Sequence, residues 1–218
     1  MKKTFIVIGI VILLVISALV VFRFVNDRTT NPDEGVTDEI ETVITVDGWL
    51  KITKICEYEG RLAVVAENVS DTDVEYAILT AKNRTESFTF NASVLLRGTK
   101  VLLVCNEVVE FNPDEIYTNW KTENVVDFKS VPAMNEDKLQ VSMADNSISV
   151  RNVSGRDITS DIIIYYKEKK DDLLNGSMTR RVRVSGGLKA DSQTYVNADG
   201  LNENNCQIIF TEYDDKKV

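Results

Sequence analysis

The feature that most constrains this chain is a texture that begins at Val43. Short runs rich in Val, Ile, Thr, Phe and Tyr are cut by clusters of Asn, Asp, Ser and Gly at intervals of about 8–12 residues. No long segment carries apolar residues at the period of an amphipathic helix. An extended run turns alternate side chains to opposite faces and buries one of them, so several such runs must pair into facing sheets or a closed barrel. The spacing predicts an all-β exterior part. Its runs are "WLKITKIC" (49–56), "RLAVVAEN" (61–68), "VEYAILTAK" (74–82), "SFTFNASVLL" (87–96), "KVLLVCNEVVEF" (100–111) and "NVVDF" (124–128), then "KLQVSMA" (138–144), "SISVRN" (147–152), "ITSDIIIYYK" (158–167), "MTRRVRVS" (178–185), "SQTYVN" (192–197) and "CQIIFTEY" (206–213).

The two sets superpose in order. Asn68-Val69-Ser70 and Asn152-Val153-Ser154, 84 positions apart, each end one run and lead through Asp73-Val74 or Asp157-Ile158 into the next. Further on, "LLRGTKVLL" (95–103) matches "LKADSQTYV" (188–196) as a turn feeding a strand. The pattern is that of a tandem repeat of roughly 80–90 residues, the size of one small sandwich. The break falls near Ser130–Glu136, where Pro132 interrupts any ladder, giving repeats over 43–129 and 137–218. Asn and Ser side chains bond to nearby backbone and stop a strand, and the β-branched residue that follows resumes the next, so the doublet reads as scaffold. A second reading treats it as a glycan acceptor, since Asn68, Asn83, Asn91, Asn152 and Asn175 all open Asn-x-Ser/Thr sequons.

A strand ending in Asn-x-Ser, a polar turn, a long apolar strand, a charged hairpin such as "KEKKDDLLNGS", then a strand, a turn and a strand: this order resembles the immunoglobulin-like repeats of bacterial envelope proteins, including the FxLYD-type group. The resemblance covers both repeats in outline and is best over 139–213, although the Phe-x-Leu-Tyr-Asp string itself is absent. It implies two tandem immunoglobulin-like β-sandwiches that serve as presentation or interaction modules, and it brings no catalytic residues. Cys56 and Cys105 lie in the first repeat and could bridge two strands as in immunoglobulin domains; the second repeat has no matching pair, and two free thiols is the competing reading. Cys206 shares strand parity with Ile208 and Phe210 and is placed on the core face.

Ahead of this part, Phe5 to Phe22 carries no charge over 18 residues, enough at helical rise to cross a hydrocarbon layer roughly 30 Å thick. Lys2 and Lys3 precede it and Arg23 follows. A cleaved signal peptide would show a shorter apolar core and a small-x-small site before a polar terminus; here Ser17 and Ala18 are followed by "LVVF", which favours an uncleaved transmembrane helix within residues 1–25. Leu19 stands where a lipidated Cys would be. Lys2, Lys3 and the α-amino group favour a cytoplasmic N-terminus and extracytoplasmic C-terminal domains. Residues 26–42, acidic and holding Pro32 and Gly35, read as a flexible stalk. All 34 acidic residues follow Phe22; with Lys2, Lys3 and Arg23 set aside, 22 of the 25 basic ones remain, a formal balance of about −12 that disfavours nucleic acid.

The chain contains no His, which excludes Cys–His and Ser–His nucleophile systems. The exterior part holds no Ser-x-x-Lys string, and its carboxylates sit in turns and charged hairpins. Three dispersed Cys make no zinc cluster. Asp71, Asp73 and Glu75 form an acidic turn that offers oxygen ligands to Ca²⁺, but the second repeat has Gly155, Asp157 and Thr159 there, and a solvated turn is the preferred reading. In "MTRRVRV", Val182 and Val184 face the core, which sets Arg181 and Arg183 outside; Lys167, Lys169 and Lys170 of the neighbouring strand would join them in a patch for an anionic partner, partly neutralised by Glu168, Asp171 and Asp172. These features predict a non-enzymatic, membrane-anchored binding or scaffolding protein of the bacterial envelope. It has no cofactor or metal, and its partner is an envelope protein or an anionic cell-wall polymer. An accessory subunit of a membrane complex, docked through Gly9, Ser17 and Ala18 of the anchor, is the alternative, and an envelope hydrolase the least favoured.

Overall fold

A computed structural model describes residues 39–144, 146–170, 172–198 and 201–213. The expected anchor, the stalk up to residue 38, and Asp171 lie outside them. Among the described residues the regular structure is all strand, and no helix is long and apolar enough to cross a membrane. The strands are β1 Glu39–Val46, β2 Leu50–Tyr58, β3 Arg61–Asn68, β4 Val74–Lys82, β5 Ser87–Leu95, β6 Lys100–Val104 and β7 Thr118–Asp127, then β8 Leu139–Ala144, β9 Ser147–Asn152, β10 Ile162–Lys170, β11 Leu173–Asn175, β12 Arg180–Val184, β13 Gln193–Asn197 and β14 Cys206–Tyr213.

The pairing repeats. β2, β3 and β6 form one antiparallel set and β5, β4 and β7 another; β8, β9 and β13, and β12, β10 and β14, are joined in the same order. Each pair of sheets shares a core. Leu50, Ile52, Leu62 and Val64 meet Leu79, Phe88 and Phe90 in the first, and Leu139, Ile148 and Val150 meet Ile162, Ile164 and Val184 in the second. The alternation along each strand supplies these faces, as in β8, where Leu139, Val141 and Met143 turn inward and Gln140, Ser142 and Ala144 are exposed.

Two strands stand outside the repeat. β1 begins within residues 39–42, which read as the end of the stalk, because Ile40 and Ile44 pack on the first core and Lys54 holds Glu39 and Glu41 at 2.7 and 3.3 Å. β11 extends the β10 hairpin and pairs in parallel with β6, Leu174 opposite Val101 and Asn175 opposite Leu102, so one sheet runs from β1 through β6 and β11 to β10. β6 ends at Val104, short of the run to 111; just beyond it Arg61 donates to the Cys105 and Asn106 carbonyls, and Cys105 bridges to Phe90 of β5. β14 contains a bulge. Tyr166 opposes Ile208 but Tyr165 opposes Phe210, so the parity expected of Cys206, Ile208 and Phe210 breaks: Cys206 and Ile208 enter the core, whereas Phe210 stacks on Tyr165 at 4.2 Å and meets Phe128 edge-on at 5.5 Å.

The doubled NVS occupies equivalent places. Asn68 and Asn152 are fully buried, each at the end of its strand. Asn68 Nδ2 donates to the carbonyls of Thr72 and Leu95, both at 2.9 Å, while its Oδ1 accepts from Ser70 N and Oγ at 3.0 and 2.7 Å. Asn152 Nδ2 donates to Arg156 at 2.6 Å and Leu188 at 3.0 Å, and its Oδ1 accepts from Ser154 N and Oγ at 3.0 and 2.7 Å. The later turn matches as well, with Asp73 accepting from Arg97 N and Asp157 from Ala190 N, both at 2.8 Å. Gly98 and Asp191 take the same left-handed conformation at φ 69° and 57°. These amides are structural, and a glycan on Asn68 or Asn152 is incompatible with the fold.

Asn68→Ala and Asn152→Ala strand several buried carbonyls and a hydroxyl at once. Each should lower stability by about 2–4 kcal/mol, read as a shift of the denaturation midpoint of the full chain in detergent; a shift below about 0.5 kcal/mol, the range of ordinary surface changes, would contradict the structural role.

Candidate functional site

The basic residues of the sequence do not form one patch. On β12, Arg181 and Arg183 are exposed while Val184 is buried and Val182 packs on the second core. Arg181 opposes Tyr165 across the ladder and Arg183 opposes Ile163. Arg183 pairs with Asp161 at 3.4 Å and Arg180 with Glu168 at 2.8 Å; the Tyr165 hydroxyl beside Arg181 donates to Glu212 at 2.8 Å. Burial and the Glu212 carboxylate raise the Tyr165 phenol, so it stays a neutral donor. On this face Arg183 is thus paired with a carboxylate and Arg181 lies beside the Tyr165 hydroxyl, and an exposed pair such as Arg183–Asp161 holds by at most about 1 kcal/mol. Lys170 lies apart, 5.5 Å over the ring of Tyr58, and Lys169, half-buried, bonds through its backbone N–H to the Asn205 carbonyl at 2.6 Å.

Lys167 is removed from any patch. It shares the outer parity of Tyr165, but at its end of β10 that face is covered by β5 and β6, and the side chain is 1% exposed. Its Nζ donates to three carbonyl oxygens, Ser93 at 2.6 Å, Asn175 at 2.8 Å and Met178 at 3.2 Å. Burial pushes its pKa down to about 7. A small cavity of about 60 Å³ adjoins it, lined by Val94, Leu96, Val101, Leu174, Gln207 and Ile209.

The three cysteines are free and buried. Cys56 lies among Ala63, Val65 and Leu102 on one face of the β2–β3–β6 sheet; Cys105 enters the core on the other face. Opposite faces of one sheet cannot be bridged, so the Cys56–Cys105 disulfide offered by the sequence is not formed. Burial raises the Cys56 thiol to about 11. Burial and the Glu107 carboxylate, 3.1 Å away, raise Cys105 to about 12.

The acidic turn puts Asp73 to use as a backbone acceptor for Arg97, and among the described residues no group of His, Cys, Asp and Glu is placed to hold a metal ion. Two open concavities flank the end of β14. One of about 310 Å³ is lined by Phe128, Val131, Pro132, Lys138, Phe210 and Tyr213, and one of about 750 Å³ by Ser130, Asp161, Ile163, Glu212 and Tyr213 among others. Neither converges polar groups on one point in the way a small-molecule site does. What the sequence reading missed is the joint at Lys167, where Ser93, Asn175, Gly176 and Thr179 meet; the one signal pointing to it is a Lys at outward parity inside an apolar strand, which by itself reads as surface. No family model, curated protein or solved structure matches the chain.

Thiol chemistry checks the placement of the cysteines. A thiolate is the reactive form, so buried thiols of raised pKa should be inert. The native full chain at pH 8 should take up a maleimide at none of the three positions within an hour, and at all three in denaturant without reductant. Stoichiometric labelling of the native chain, or only one labelled thiol after denaturation, would contradict this arrangement.

Proposed function

We propose that the protein is a membrane-anchored, extracytoplasmic binding or scaffolding protein of the bacterial cell envelope, non-enzymatic, carrying two tandem immunoglobulin-like β-sandwiches. The observation that carries this reading is the union of an uncharged 18-residue run at the N-terminus with an acidic all-β exterior part whose two halves repeat one strand pairing. The repeated pairing and the matched Asn68 and Asn152 turns support the immunoglobulin-like assignment. The absence of His from the whole chain leaves no imidazole base and supports the non-enzymatic reading.

In this reading the anchor fixes the protein to the membrane, the short acidic segment sets its distance, and the outer sheet faces and edges meet the partner. That partner is an envelope protein or an anionic cell-wall polymer. The face bearing Arg181 and Arg183 is the natural side for a polyanion, which would compete with Asp161 for the Arg183 guanidinium.

Crosslinking in whole cells, with the native anchor and with an unrelated transmembrane helix in its place, tests the assignment. Partners retained on replacement are expected; partners lost would favour an accessory subunit held through Gly9, Ser17 and Ala18. Arg181→Glu with Arg183→Glu should reduce retention on cell-wall polyanions several-fold at low salt, and unchanged retention would remove the polymer as partner.

A further inference from the structure

The two halves meet at a joint built from the β10–β11 hairpin. The segment that leaves β11 is tied to the first half by Ser93 N–H donating to the Gly176 carbonyl at 2.9 Å, Gly176 N–H to Leu102 at 2.7 Å, and Val104 N–H to Ser177 Oγ at 2.9 Å. Gly176 is buried so close to β6 that a Cβ there would stand 2.6 Å from side-chain atoms of both Val101 and Leu103. Over this contact Lys167 closes a ring, joining the Ser93 carbonyl of the first half to the Asn175 and Met178 carbonyls of the second. We propose that the joint is a proton-sensitive buckle, which locks the two halves into one rigid body when Lys167 is neutral and loosens when Lys167 takes up a proton. This device does not depend on what the exterior part binds.

The two forms of Lys167 fare differently in the closed joint. The ammonium matches three acceptors with three N–H donors but has no counter-ion: Val94, Leu96, Val101, Leu174, Gln207 and Ile209 face it from β5, β6, β11 and β14 or their ends, and none is charged or titratable. On its own strand, Glu168 is held by Arg180, and Tyr166 points into the second core. The amine has two donors for the three carbonyls, but the Ser93 carbonyl also accepts from Thr179 Oγ1 at 3.3 Å, so the neutral form gives up at most one hydrogen bond. An uncompensated charge in an apolar site costs more than one unmade neutral hydrogen bond, so the closed joint favours the amine. The direction of the lysine shift, down from 10.5 to about 7, agrees.

The sign follows by linkage. An open, hydrated Lys167 binds its proton below pH 10.5 and a closed one only below about 7, so acid favours opening throughout that window. The opening equilibrium should rise about tenfold for each pH unit lost between 9 and 7, and level off below 7.

Hydrogen exchange of the full chain in detergent tests this. The protection factors of the Ser93, Gly176 and Val104 amides are measured from pH 6 to 9, corrected for intrinsic exchange and divided by those of Val64 and Leu79 in the first core. In the native chain this ratio should fall about tenfold per unit from pH 9 to 7; in Lys167→Met it should not vary with pH, and in Gly176→Ala it should be low at every pH while the core amides stay protected. A pH-independent ratio in the native chain, or an unchanged pH dependence in Lys167→Met, overturns the proposal. If Lys167→Met loses core protection, the native profile and Gly176→Ala decide between the outcomes.

Discussion

Each half of the described all-β part depends on one buried carboxamide. A β-sandwich must carry its chain from one sheet to the other, and the backbone groups exposed at that crossing need partners once water is gone. Asn68 and Asn152 meet the need with a single side chain: the amide nitrogen spans carbonyls from two separate loops, and the amide oxygen holds the Ser two residues on. Asp has no donor for the carbonyls, and Gln is one methylene too long for the short turn to its own backbone. The pairing of strands on either side follows, because β3 and β9 end where these amides are tied and β4 and β10 begin in the other sheet.

The joint between the halves follows a different logic. β11 adds to the edge of β6 in parallel, which covers an edge that would otherwise present unpaired backbone. The contact tolerates no Cβ at Gly176, and it buries Lys167 among carbonyls instead of carboxylates. A lysine stem four methylenes long can reach such a site and pack along the way, but its head is left with hydrogen bonds and no opposite charge. The joint is therefore specific in geometry and restrained in strength.

Edges elsewhere are managed by irregularity. β7 pairs with β4 through three register shifts and holds Asn119 and Asn124 at φ 54° and 52°, which bends the strand although Val125 and Val126 are exposed on it. At the other side β1 begins with glutamates engaged by Lys54.

Local chemistry made much of the architecture legible. Alternation and turn residues place β3, β4, β9 and β14 at the ends read from the sequence, since a strand with one buried face has to alternate and Asn, Asp and Gly have to stop it. The twin Asn-Val-Ser turns were legible for the same reason: an Asx turn is made from its own neighbours. Long-range neighbours decided the rest. The first half of β1 looked like stalk because acidic residues flank Ile40, and the bulge in β14 reversed the side of Phe210. Cys56 and Cys105 differ in the face they enter, which spacing along the chain does not encode. Lys167 is the sharpest case: strand parity sent it outward, and outward at that point means into the other half of the molecule. Sequence by itself determined most of the strands and the turns between them, through preferences each residue carries with its neighbours; only the tertiary structure decided where β1, β6 and β11 begin and end and which outer face meets water, because pairing and burial depend on what the rest of the chain brings against them.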